Sequence, residues 1–104
     1  IRMKMKNIVT ANKELNRWCG TEGIIYYGGD TALGFLFKSA VPKLLPGHDF
    51  AIYWVLDVDA PKGTWAISMS CPGYGENGII RLRDNDPALA LFWAIMKIIE
   101  VENC

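Results

Sequence analysis

The sequence predicts an α+β domain in which a three-stranded antiparallel meander packs with two N-terminal helices and one long C-terminal helix. Two changes of hydrophobic period carry that expectation: helical spacing gives way to strict alternation after Asp49 and returns after Asp86-Pro87. Length is the third observation. A chain of 104 residues with 51% hydrophobic side chains fills one core and hardly a second. Residues 1–104 are therefore expected to form one domain, with 1–9 flexible or partly foreign to the natural chain because Ile1-Arg2 precedes Met3 and Met5.

The first helix is expected over 10–19, with Thr10 as cap, Leu15, Trp18 and Cys19 as a short apolar stripe, and Gly20 as terminator. Residues 21–29 read as a loop or short strand, and Gly28-Gly29 as a hinge. Asp30 is the expected N-cap of a second helix, whose Leu33, Phe37, Ala40, Val41 and Leu44 share one face. Pro42 predicts a kink or break near Val41, because a proline ring clashes with the carbonyl four residues back.

From Asp49 onward Ile52, Trp54, Leu56 and Val58 alternate with Ala51, Tyr53, Val55 and Asp57, which is strand patterning. Ala60-Pro61-Lys62-Gly63 reads as a reverse turn, 64–71 as a second strand, 72–78 as a glycine-rich connection and 79–83 as a third strand. Helices are expected on the face bearing Trp54, Trp65, Ile67, Ile80 and Leu82. Asn85-Asp86-Pro87 then signals a helix start, with a cap residue before a proline whose missing N–H costs nothing there. The helix over 88–102 is apolar nearly all round, so it is either a central core element or packs on another copy. The second reading makes Leu91, Trp93, Ile95 and Ile98 an interface and the protein a homodimer or higher oligomer.

Composition excludes several classes. Eleven basic and eleven acidic residues cancel, which weakens nucleic-acid binding, since affinity for a polyanion scales with the phosphates neutralised. The apolar run 88–96 ends at Lys97, short of the roughly eighteen residues of a membrane helix. Three cysteines, Cys19, Cys71 and Cys104, cannot close a complete disulfide framework, so a reducing cytoplasm is the expected compartment.

Strand register decides which side chains meet. With Asp59 opposite Thr64 and Cys71 opposite Gly78, one face carries Tyr53, Val55, Asp57, Ala66, Ser68, Ser70, Ile79, Arg81 and Arg83. Asp57, Ala66 and Arg83 then form one row, with room over Ala66 for an ion pair. Arg81 and Arg83 are candidate anion ligands, because guanidinium forks match phosphate bidentately, and Tyr53 or Tyr74 could stack a base. A solvated sheet face with a weak surface ion pair is the plainer alternative. The glycines before Asp30 resemble a phosphate cradle only loosely, since Asp30 would occupy the donors. Asp57 and Asp59 share a strand face and could hold a divalent metal, but such an ion demands more oxygen ligands than the pattern supplies. His48 stands near no catalytic signature that would make it a base to Cys71 or Ser70. No catalytic residue, metal or cofactor is expected.

Several segments carry a likeness: Glu14-Leu15 with Trp18, Tyr27-Gly28-Gly29-Asp30-Thr31-Ala32, Phe50-x-x-x-Trp54 with Trp65, and Pro87-Ala88-Leu89-Ala90-Leu91. In this order they resemble the phage ABA sandwich domain family, small proteins of bacteriophages and prophages. Pro42 and the polar second face of the strands depart from that pattern. The resemblance implies an accessory protein in the cytoplasm of an infected bacterium and transfers no catalytic motif. The leading expectation is a non-enzymatic counter-defence factor that sequesters a small nucleotide signal or blocks a host defence protein, binding through Tyr53, Tyr74, Arg81 and Arg83. The rivals are a metal-dependent hydrolase using Asp57 and Asp59, and a virion or assembly component.

Overall fold

A computed structural model describes residues 7–44, 47–55, 63–74 and 77–102. The first helix, α1 (Ile8–Cys19), starts earlier than Thr10 because Asn7 supplies the cap: its side chain accepts the Val9 N–H at 2.8 Å. Ile8 and Val9, expected to be flexible, are helical. Gly20 ends α1 in the left-handed conformation at φ 72°, and the N–H groups of Gly20 and Thr21 return to the carbonyls of Arg17 and Asn16.

The second helical stretch runs as α2 (Gly29–Phe35), a π-helical turn (Leu36–Ala40) and α3 (Val41–Leu44). Pro42 explains the π turn. Opening the helix by one residue lets the Val41 N–H reach the Leu36 carbonyl and carries the chain past a position that cannot donate. The interruption thus falls where the proline predicts it, as a widened turn. Asp30 is not the cap: it lies inside the first turn, and the Gly29 N–H is held instead by Asp86 Oδ2 at 3.0 Å.

Three strands, β1 (Phe50–Val55), β2 (Thr64–Ser70) and β3 (Ile79–Asp84), form an antiparallel sheet in the order β1-β2-β3. The β2–β3 register is the expected one, with Ala66 opposite Arg83, and the Cys71 N–H meets the Gly78 carbonyl at 2.7 Å. The β1–β2 register is not. Val55, rather than Asp59, lies opposite Thr64, and Tyr53, rather than Asp57, lies opposite Ala66. The described strand β1 reaches Val55, and Asp57, Asp59 and the 60–62 turn lie outside the described residues. Because the slip is even, every β1 side chain keeps its expected face.

The last helix, α4 (Pro87–Glu102), lies across β2 and β3 and is covered on its other side by α2, the π turn and α1. Leu91, Phe92, Ile95 and Ile98 are wholly buried within this single chain, together with Ala88, Ala90 and Ala94. Each large side chain so buried contributes about 1.5–3 kcal/mol, and that drive is met inside the protomer. The expected interface through Leu91, Ile95 and Ile98 is therefore corrected, because these residues have no surface to offer. Trp93, the fourth, is half-buried and packs edge-on against Phe92 at 5.1 Å.

On the α4 side of the sheet Ile67 and Ile80 are fully buried, whereas Trp54 stays 50% exposed. That difference follows from position: α4 spans β2 and β3 and leaves much of β1 uncovered. No helix among the described residues is long and apolar enough to cross a membrane.

Candidate functional site

The candidate site is the outer face of the sheet, opposite α4. Alternation in Ile79–Asp84 sends Ile80 and Leu82 toward α4 and turns Ile79, Arg81 and Arg83 outward. Tyr53, Ala66 and Arg83 form one cross-strand row; Ala51, Ser68 and Arg81 form the next. Neighbouring strands lie about 4.8 Å apart, so Tyr53 and Arg83 stand roughly 10 Å apart across the small Ala66, and Arg81 follows about 7 Å along β3. Ala66 is 3% exposed at the floor of this row, Tyr53 is 42% exposed at its side, and both arginines are exposed. No described helix covers this face.

Tyr74, expected to join these residues, does not. It sits in the β2–β3 connection, half-buried against the core, with Lys97 of α4 5.8 Å from its ring centre. The Cys71 carbonyl accepts the Tyr74 N–H, and the Tyr74 carbonyl accepts the Gly78 N–H, both at 3.0 Å. The structure brings together Tyr53, Arg81 and Arg83 and leaves Tyr74 on the other side of the sheet.

A second surface was not legible beforehand. α1 carries two buried asparagines one turn apart, and their amides grip the chain that follows. Asn12 Oδ1 accepts the Tyr26 N–H at 2.9 Å, Asn16 Oδ1 accepts the Ile24 N–H at 3.1 Å, and both Nδ2 groups donate to the Ile24 carbonyl at 2.8 Å. Side chains thus replace a neighbouring strand for residues 24–26. An open groove of about 790 Å³ lies beside this clamp, with Val9, Lys13, Arg17, Ile25 and Tyr27 among its walls. The only sequence signal for it is the pair of amides at helical spacing beside Ala11 and Leu15.

Beneath the clamp, the Tyr26 hydroxyl lies 2.8 Å from the Thr21 hydroxyl, which also donates to Asn16 Oδ1 at 2.9 Å. Burial pushes the Tyr26 phenol above its ordinary range, and hydrogen bonding with Thr21 and Ser39 offsets only part of that. Burial likewise raises the Cys19 thiol, against smaller opposing effects of Tyr26 and the Lys43 charge. Lys43 donates to the Trp18 carbonyl and lies 4.8 Å from that indole's centre. A thiol held protonated in this way is a poor nucleophile.

His48 bridges the two ends of the fold. Its Nδ1 donates to the Ser70 carbonyl at 2.7 Å, and its Nε2 lies 3.2 Å from Glu102 Oε1 at the end of α4. Both ring nitrogens are thereby engaged with acceptors, and neither is placed as a base toward Cys71. The Cys71 thiol is itself raised, by burial first and by the Glu102 carboxylate second. Among the described residues, no group of three His, Cys, Asp or Glu side chains is placed to hold a metal. No protein-family model, no curated protein and no solved structure matches this chain.

Proposed function

We propose that this protein acts by binding, and that the outer face of its sheet takes an anionic, ring-bearing ligand of the nucleotide class. The observation that carries the reading is the Tyr53–Ala66–Arg83 row with Arg81 beside it, on a face that no described helix covers. Two guanidinium groups supply paired N–H donors for phosphate oxygens, and Tyr53 offers an aromatic face about one nucleoside's length away. Ala66 and Ser68 keep the floor between them low. The resemblance of the helix-start and strand motifs to phage ABA sandwich proteins extends the proposal to a setting: an accessory factor in an infected bacterium that withholds a nucleotide signal from host defence.

Calorimetric titration with ATP and with a cyclic dinucleotide tests it. Binding is expected, and Arg81→Ala is expected to weaken it about tenfold or more, the loss of one charge-assisted contact. Unchanged affinity in both Arg81→Ala and Arg83→Ala overturns the site. Turnover of either probe with magnesium, abolished by Asp57→Asn, would replace the binding reading with a hydrolytic one. Failure of both probes to bind, with a host protein retained on the immobilised chain, would replace nucleotide capture with protein blocking.

A further inference from the structure

The two edges of the sheet are chemically unlike. β3 carries Arg81, Arg83 and Asp84, charges of the kind that keep an exposed edge from pairing. β1 reads Phe-Ala-Ile-Tyr-Trp-Val and has no charge, no proline and no glycine. Among the described residues it is nevertheless an edge, with β2 as its neighbour in the sheet. The side chains that β1 turns toward the helix layer are also incompletely covered. Phe50 and Ile52 are half-buried and Trp54 is 50% exposed, while Phe37 from the π turn, 44% exposed, leans on Phe50 at 6.1 Å.

Backbone direction sharpens the point. The Ser70 N–H donates to the Asp49 carbonyl at 2.8 Å, and with the register of β1 on β2 this directs the N–H and C=O groups of Ala51, Tyr53 and Val55 toward β2. Those of Phe50, Ile52 and Trp54 therefore face the open edge. No described residue pairs with them.

We propose that the occupant of this edge is a second copy of the same chain, with β1 pairing antiparallel to its counterpart about a two-fold axis through Ile52, so that two sheets join into one of six strands. Three features select a copy of itself. A two-fold sets each strand against its own sequence, which β1 accepts without opposing like charges and β3, with its two arginines, does not. Centring on Ile52 makes Ile52 and its counterpart a hydrogen-bonded pair and matches Phe50 with Trp54 in the same way, using the three outward-facing backbone positions on each strand. On the outer face the same register sets bulky Tyr53 beside small Ala51 of the other copy, whereas centring on Tyr53 would oppose two phenol rings. Pairing also closes the Phe37, Phe50, Ile52 and Trp54 surfaces over one another. The contact is independent of α4, whose apolar side chains are already enclosed.

Sedimentation equilibrium of the full chain is expected to give twice the 11.6 kDa protomer mass. Trp54→Lys, which puts a charge on the paired edge, is expected to raise the dissociation constant roughly a hundredfold. A covalent test does not depend on how that variant folds. With Cys19 and Cys104 replaced by serine, oxidised Ile52→Cys is expected to form a symmetric disulfide dimer, because directly opposed residues have Cα atoms about 5.5 Å apart, and Ala51→Cys is expected to stay uncrosslinked. A wild-type chain of single-protomer mass up to millimolar concentration overturns the proposal. So does a dimer in which Ala51→Cys crosslinks and Ile52→Cys does not.

Discussion

Asp86 carries more of the fold than one cap, and its replacement can be read in two steps. Oδ1 accepts the Ala88 N–H at 2.9 Å and caps α4, while Oδ2 accepts the Gly29 N–H at 3.0 Å and holds the start of α2. A single carboxylate thus serves two helix N-termini, reaching from Asp86 to Gly29 across 57 positions of sequence. Asp86→Ala removes both bonds. Loss of an N-cap costs about 1 kcal/mol, and loss of the second bond and of the negative charge at both helix starts adds about 1–2 kcal/mol. Asp86→Asn keeps the α4 cap, because asparagine caps as well as aspartate, but it turns an NH₂ group toward the Gly29 N–H. Its expected cost is about 1 kcal/mol, from the link to α2 and the negative charge lost at both helix starts, and for a domain of this size that lowers Tm by about 4–8 °C. Urea unfolding followed by tryptophan fluorescence separates the variants, with unchanged m-values required for the comparison. The expected order is wild type, then Asn, then Ala, in distinct steps. An Asn variant as stable as wild type would show that the second oxygen holds nothing, and one as unstable as Ala would show that the cap and the link cannot be separated.

Asn12→Ala should cost about 1–3 kcal/mol in urea titration, since the buried Tyr26 N–H loses its acceptor, and amide exchange at Tyr26 should accelerate. Asn12→Asp should be no better, because a carboxylate cannot donate to the Ile24 carbonyl. Stability should fall on the alkaline side: Cys19, Cys71 and Tyr26 are raised above their ordinary 9.0, 9.0 and 10.0, so their contribution is complete below those values and is lost as pH climbs through the native ones. Denaturation midpoints flat to pH 9 and declining above it are the expected record; midpoints that rise there would contradict the burial of all three. Ile95→Val should cost about 0.5–1.5 kcal/mol as an ordinary core deletion and leave the sedimentation mass unchanged, whereas a change of mass would return that residue to an interface.

The sequence pattern is legible where chemistry differs sharply between the two sides of an element. In β3 the arginines and the aliphatic residues alternate without exception over 80–83, so their faces could be assigned without coordinates. Faces in β1 survived a wrong register for a geometric reason: apolar alternation runs on to Val58, suggesting a longer hairpin, yet an even slip moves row partners and leaves sidedness intact. The pattern does not place Tyr74, because a loop has no period to fix the direction of its side chains. Asn12 and Asn16 went unrecognised because their partners, Ile24 and Tyr26, lie in a stretch that forms no strand and has no repeating signal.

The case of α4 shows what a one-dimensional pattern omits. Apolar residues on every face report how many sides must be buried, and they are silent on what buries them. A neighbouring copy and the chain's own α1 and α2 satisfy the pattern equally, and the choice rests on whether those helices reach over α4, which they do. With that face closed internally, the apolar surface left exposed lies where coverage gives out. Trp54 illustrates it: the alternation places this residue with Ile67 and Ile80, but α4 is centred over β2 and β3, and a single helix about 10 Å across cannot also cover the edge strand. Hydrophobic excess in so small a domain is thus displaced from its most apolar helix to its uncharged edge strand, and backbone groups with no partner among the described residues lie in the same place.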